Sequence, residues 1–408
     1  MLILYIKLIE NNLMFPDFNI YSTPLLLLSI QGVAFTFFLL NRYYRKRNVS
    51  DLFLALILFL TCYHQTTYTI GFLGWYDTFK NTKINYYLIN LLLALAPLIY
   101  FYFVSITNPK KVFGKKHLLH FTPIILLIVI KTIILVYDAN LPGFNAAQNG
   151  YLVVNFQWKF LDPIVGLLSM FQMLIYLVLS FQLLYNYKEK INHFFSNTYK
   201  IELNWLYNFL IAYTILYVYN SVQTVVNSTI VDLSWIQEWW YYLLSGLVII
   251  YVGIKGYYTD LTQLMGVEIG SFLKEENKLE VKKDNIVQTN IELSNKLKTR
   301  KEFIEEYFAT HKPFLEPDLT LIGLSKKIAI SREELSETIN KGFNLKFNDF
   351  INAYRVEEFK TKLAQGHHKQ LSLLGIAYEC GFNSKATFNR AFKKMTNKSP
   401  SEYLKTQV

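Results

Sequence analysis

The sequence predicts an all-α protein in two parts, a bundle of apolar helices long enough to cross a bilayer and then a polar helical domain. Three observations carry this. Hydrophobic residues make up 52% of the 408 and charged ones 17%, with a mean hydropathy of +0.21, too apolar for an ordinary soluble chain. The polar content is uneven: residues 1–257 hold 17 Lys/Arg and 10 Asp/Glu, whereas 298–408 hold 19 and 13 in less than half the length. A phrase also recurs near the C-terminus, Leu319-Thr320-Leu321-Ile322-Gly323-Leu324-Ser325 and then Leu371-Ser372-Leu373-Leu374-Gly375-Ile376-Ala377. The expected boundaries are 1–257 for a seven-span membrane domain, 258–305 for a helical connector and 306–408 for a duplicated helix-turn-helix domain.

A spanning helix needs roughly 20 mainly apolar residues, because hydrocarbon offers no partner for a backbone amide. Seven stretches qualify, near Thr23–Leu40, Leu52–Phe72, Tyr86–Ile106, Leu118–Tyr137, Ile164–Leu184, Trp205–Val226 and Trp239–Tyr257. The first has no small-residue cleavage site and runs into Arg42, Arg45, Lys46 and Arg47, so it reads as a retained span rather than a signal peptide. Loop charge gives the orientation, since cytoplasmic loops accumulate Lys and Arg. Loops after the first, third and fifth spans hold 11 basic residues, including Lys110, Lys111, Lys188 and Lys190. The alternate loops hold 3: Lys80, Lys83 and Lys159. The expected topology is a multi-pass inner-membrane protein with its N-terminus outside and its C-terminal domain in the cytoplasm.

Polar residues within the spans are the clues to sensing. The second span carries an unusually polar run from Thr61 to Thr69 that includes His64, Gln65 and Thr66. Two readings stand side by side: interhelical hydrogen bonding that glues the bundle, or a ligand site built on those three residues. Lys131, about four residues inside the outer end of the fourth span, is expected to snorkel to the interface. The outer loop Asp138–Lys159 reads as a solvated connector or a cap over a pocket. Cys62 and Cys380 read as buried thiols. No metal-ligand spacing, phosphate-cradling glycine loop or nucleophile elbow is present, so neither a cofactor nor a catalytic residue is expected, and the chain does not read as an enzyme.

From Asp260 to Arg300 the charges alternate in sign, as along a solvated helix. Leu279, Ile286 and Leu293 fall seven apart, but Lys283 and Asn290 occupy the intermediate seam positions, which favours a helical stalk over a full coiled coil. Beyond it, each repeated phrase starts with Thr320 or Ser372 as N-cap, followed by an apolar stripe, a break and a second helix. In the first copy Ser331 and Glu334 form a capping box at the second helix. In the second, Gly381 supplies the turn and Phe382, Phe388 and Phe392 the core face. Gly323 and Gly375 stand where an acid would complete a capping box, leaving those helix starts with one-sided caps. A helix from Phe347 to Ala364 joins the copies.

The string Gly381-Phe382-Asn383-Ser384-Lys385-Ala386-Thr387-Phe388-Asn389-Arg390-Ala391-Phe392-Lys393, with Ser399-Pro400 and Tyr403 after it, is the most specific motif in the chain. Together with Asn352-Ala353-Tyr354-Arg355-Val356-Glu357 it makes residues from about Glu306 to Leu404 resemble the DNA-binding domain of the AraC/XylS family. The rest is similar in plan to membrane-anchored regulators of that family from Bacteroidetes-type bacteria, including Thr107-Asn108-Pro109-Lys110 and His120-Phe121-Thr122-Pro123. The resemblance implies a seven-helix domain whose two recognition helices enter successive major-groove faces. In the second unit it implies that Lys385, Ala386, Asn389 and Arg390 face double-stranded DNA, with Lys393 and Lys394 nearby. In the first unit the corresponding set is Arg332, Glu333, Ser336 and Glu337.

Acidic groups at such positions are unusual, because near phosphates they repel. Residues 298–354 hold 9 basic and 9 acidic groups, and residues 355–408 hold 10 and 4, so the second unit is expected to supply most of the affinity. The predicted function is a membrane-tethered, sequence-specific transcriptional regulator acting as a homodimer, with RNA polymerase as partner if it activates. Its signal would shift the arrangement of paired readers, or proteolysis at the stalk would release one. The competing reading is a transporter or receptor-like membrane protein with a regulatory cytoplasmic domain. Transporters favour broken helices, and here Pro97 is the main interruption.

Overall fold

The computed structural model describes residues 16–75, 91–108, 114–142, 144, 150–198, 203–259 and 290–406, the side chains of 290–295 excepted. The stalk residues Leu279 and Ile286, the side chain of Leu293, and the loop lysines Lys80, Lys83, Lys110 and Lys111 lie outside what is described. Every regular element among the described residues is a helix, as expected, and these residues fall into two compact units.

The first unit contains α1 (Ser22–Lys46), α2 (Val49–Phe72), α3 (Leu92–Thr107), α4 (Lys115–Ala139), α5 (Val153–Phe194) as far as Leu184, α6 (Asn204–Thr229) from Trp205 and α7 (Trp235–Tyr258). Six of these are long and apolar enough to cross a membrane; α3 is shorter. Helices α1, α2 and α7 pack together closely. A Cβ at Gly32 would run into Cys62 Sγ and Ile249, so only glycine lets these helices approach so nearly. Arg42 joins the helix ends: it pairs with the buried carboxylate of Asp51 at 2.5 Å and donates to Gly256 O at 2.9 Å. The outer faces are apolar, with Ile125, Val129, Ile133, Phe171, Ile175, Ile215 and Val222 each about half or more exposed.

Two expectations change here. Lys131 does not snorkel: its side chain is 8% exposed and its ammonium lies 3.7 Å from the Asp162 carboxylate, which neutralises it in place. The outer loop is also shorter than it read, since Val153–Leu161 already winds as wide π-turns leading into the rest of α5. Asp138, fully buried, accepts from the Leu152 and Val153 amides and fixes that start.

The described residues of the second unit are 185–198, 203–204 and 290–406, with α8 (Asn290–His311), α9 (Leu321–Ile328), α10 (Arg332–Glu337), α11 (Phe347–Ala364), α12 (Leu373–Glu379), α13 (Lys385–Thr396) and α14 (Pro400–Lys405). It has two cores, and α11 feeds both. Phe347, Phe350 and Ile351 join Ile304, Phe308, Leu324 and Leu335 in the first. Val356, Phe359 and Leu363 join Ile376, Phe382, Phe388 and Phe392 in the second. Between them sits Arg355, fully buried. Its Nε donates to Phe314 O at 2.8 Å and its Nη2 to Glu316 O at 2.7 Å, while the guanidinium lies 5.7 Å from the centre of the Phe382 ring. Burial pushes its pKa down to about 10.

Replacing Arg355 by Ala orphans those carbonyls and should destabilise the second unit by about 3 kcal/mol. Lysine, a point charge without the guanidinium fork, should rescue little of it. Amide hydrogen exchange across α11 to α13 in the full chain would register the loss; unchanged protection in Arg355→Ala would refute the keystone role.

Candidate nucleic-acid interface

Both repeats fold as helix, turn, helix. In the first, the Thr320 side chain accepts from the Gly323 amide and starts α9, Ala329 turns the chain in a left-handed conformation (φ 54°), and Ser331 accepts from the Glu334 amide to start α10. In the second, Ser372 accepts from Gly375, Gly381 makes the turn (φ 88°), and Ser384 accepts from Thr387 to start α13. Gly381 is required twice over. Its φ disfavours any side chain, and a Cβ would meet Phe314 O at 2.5 Å. The caps at Gly323 and Gly375 are one-sided, as their sequence implies. At Ser331 the Glu334 carboxylate accepts from the serine hydroxyl at 2.8 Å; this bond, with Arg300 beside it, holds the Glu334 pKa below its usual value.

On α13 the candidate residues form one continuous face. Thr387, Phe388, Ala391 and Phe392 are buried, while Lys385, Ala386, Asn389, Arg390, Lys393 and Lys394 are all exposed on the other side. The stripe carries four cations, and Lys394 is 2.7 Å from Asp349 at the start of α11. With a cationic fork, an amide and two helix-end lysines, such a face can meet base edges and phosphates together.

The face of α10 is different. Arg332 is turned onto Glu333 at 2.7 Å, Glu337 pairs with Lys341 at 2.8 Å, and Arg300 from α8 pairs with Glu334 and lies 3.9 Å from Glu337. Ser336 accepts from the Asn340 amide at 3.3 Å. The acidic groups of this helix are thus largely answered by cations of the same unit.

The three residues proposed for a membrane ligand site separate. His64 lines a cavity of about 80 Å³ with Thr61, Met170, Tyr213, Asn220 and Tyr241. Gln65 instead donates to Leu25 O at 3.3 Å, and Thr66 to Cys62 O at 2.8 Å. The cavity has room for about two or three waters.

Sequence reasoning missed Arg355 as more than a motif letter, and it read Lys188 only as a loop charge. Lys188 and Asn192, at the end of α5, line a cleft of about 340 Å³ with Arg390 and Lys394. Nothing local in the sequence joins positions about 200 apart.

Comparison with known proteins agrees with this geometry. A family model described as "Helix-turn-helix domain" matches residues 324–406. The C-terminal region is a helix-turn-helix domain of the AraC type. The chain is 33% identical over 103 residues to the uncharacterized HTH-type transcriptional regulator YijO of Escherichia coli K12, covering 25% of this chain and 33% of that one. It is 33% identical over 86 residues to an uncharacterized HTH-type transcriptional regulator of Staphylococcus aureus strain COL, covering 21% of this chain and 11% of that one. The chain thus spans a third or less of the length of these relatives. No solved structure matches it.

The capping of α13 is open to direct test. Replacing Ser384 by Ala removes the acceptor for the Thr387 amide and should cost about 1 kcal/mol, whereas Ser384→Asp should retain most of it. Chemical denaturation of the full chain followed by exchange at α13 would compare them; equal stability of all three would show that the cap is inert.

Proposed function

We propose that this protein is a membrane-tethered, sequence-specific DNA-binding transcriptional regulator, with a membrane domain at 1–257, a connector at 258–305 and a DNA-reading domain at 306–408. One observation carries the reading: the cationic stripe of a helix-turn-helix domain shares a polypeptide with six helices long and apolar enough to span a bilayer. The membrane part is supported further by the apolar side chains on the outer faces of α4, α5 and α6, a surface far larger than a soluble monomer tolerates. The excess of Lys and Arg in the loops after the first, third and fifth apolar stretches supports a cytoplasmic reader and an N-terminus outside the inner membrane.

The second helix-turn-helix unit supplies most of the affinity. Lys385 and Arg390 suit guanine edges or phosphate and Asn389 suits adenine, with Lys393 and Lys394 on the backbone. The first unit contributes less, because Arg332 is engaged by Glu333 and the Glu337 charge is shared with Lys341. Paired protomers would raise effective concentration on adjoining half-sites, and an activator would then contact RNA polymerase. The small, largely apolar cavity at His64 is the candidate place for a signal to act.

With full-length protein in nanodiscs and its own promoter fragments, Arg390→Ala or Lys385→Ala should lower affinity about tenfold or more, and Glu333→Ala should leave or raise it. Indifference to all three would remove the groove assignment. For topology, alkaline phosphatase fused after Val408 should be inactive and a fluorescent protein there bright; the reverse would sink the cytoplasmic placement.

A further inference from the structure

Within the first unit, the last turns of α1 and α7 enclose a cleft of about 380 Å³ lined by Asn41, Arg42, Arg45, Lys46, Tyr257 and Thr259. Local structure fixes its frame. Arg47 ends α1 in a left-handed conformation (φ 53°), and Asn48 starts α2 by accepting from the Ser50 amide. Asp51, buried in the first turn of α2, then pairs with Arg42. Arg42 also donates to Gly256 O at 2.9 Å and to Tyr257 O, so one guanidinium answers the carbonyl end of α7. The same guanidinium lies 5.4 Å from the centre of the Tyr257 ring, which is 5.9 Å from that of Phe38.

This clamp leaves the charge of the cleft unbalanced. Arg42 is neutralised by Asp51, whereas Arg45 and Lys46 are exposed and have no ion partner among the described residues. No carboxylate lines the cleft among those residues. Two neighbouring cations in a space without an acid repel each other, and an anion shared between them relieves that repulsion. The Asn41 amide and the hydroxyls of Tyr257 and Tyr258 add neutral donors to the lining. Apolar side chains on the same two helices, Phe37, Phe38, Leu247 and Ile254, are each more than a third exposed. A soluble anion gains nothing from them. A phospholipid brings its phosphate to the helix ends and its acyl chains along such flanks.

We infer that this cleft binds the phosphodiester headgroup of an anionic phospholipid, held by Arg45 and Lys46 beside the Arg42–Asp51 pair. The inference rests on the membrane-spanning reading above, which puts this end of α1 and α7 at the cytoplasmic interface. Thr259 caps α7, so a bound headgroup would grip the point from which the connector leaves the membrane domain.

The test is native mass spectrometry of the full chain in neutral detergent, titrated with phosphatidylglycerol and phosphatidylcholine of matched acyl chains. Phosphatidylglycerol should bind about tenfold tighter or more. Arg45→Ala and Lys46→Ala should each weaken it about fivefold and together about 20-fold, and Arg45→Lys should retain most of it. Lys115→Ala with Lys116→Ala removes the same charge from exposed lysines at the start of α4 and should change it little. Equal binding of the two lipids would overturn the inference. So would unchanged affinity in the Arg45 and Lys46 double variant, or an equal loss in the α4 double variant, which would reduce the effect to net charge. Millimolar inorganic phosphate should not displace the lipid; displacement would make the occupant a soluble anion and overturn the lipid assignment. If the chain enters phosphatidylcholine nanodiscs yet binds both lipids alike, the membrane reading stands and only this inference falls. A chain that stays soluble without detergent and enters no bilayer removes the membrane reading itself.

Discussion

Arg355 is fully buried, and its guanidinium finds acceptors in segments far apart in the chain: Phe314 and Glu316 after α8, and Ser196 at the end of the segment that follows α5. A guanidinium taken out of water costs several kcal/mol unless such acceptors meet it, and each acceptor lost leaves a buried donor unsatisfied. The surrounding backbone is therefore fixed to the geometry of one side chain. Phe314 O, held by Arg355, also sits where a Cβ of Gly381 would stand. Asn383 then reaches across to Asp318 at 2.8 Å. Within this unit, the turn of the second helix-turn-helix is thus set against the first by one cation, one glycine and one amide.

That rigidity matters because the two repeats are unlike each other electrostatically. The exposed face of α13 carries four cations and no carboxylate of its own, whereas the exposed face of α10 carries acids paired with Arg332, Lys341 and Arg300. Exposed pairs of this kind add at most about 1 kcal/mol to stability. Their larger effect is to spend charge: a cation already beside a carboxylate releases fewer counterions on meeting a phosphate. Under the proposed function the second repeat grips and the first, held at a fixed spacing by Arg355, positions.

Much of this was legible in the sequence, for reasons that are local. Hydrophobic runs, the Thr320 and Ser372 caps and Gly381 at a turn each depend on neighbours within a few residues. The stripe on α13 follows from helical spacing once Phe388 and Phe392 are assigned to the core. What escaped depends on distant partners. Lys131 reads as a snorkelling lysine until Asp162 comes to 3.7 Å. His64, Gln65 and Thr66 are adjacent in sequence, yet a helix turns consecutive residues about 100° apart, so only His64 lines the cavity. A buried arginine cannot be told from an exposed one by its letter, and no local pattern in the sequence brings residues 188 and 390 to one cleft.

The segment that follows α5 also bears on how such a reader is regulated. Release by cutting the connector would free residues 290–408 but leave 185–198 behind. The Ser196 acceptor of Arg355 and the two carbonyls that satisfy Asn348 would go with it. Buried polar groups that lose their partners cost about 1–3 kcal/mol each, so the liberated fragment would be less stable than the reader within the intact chain. The segment after the fifth apolar helix is therefore a structural part of the second unit, and its hydrogen bonds to Arg355 and Asn348 complete that unit's buried polar network.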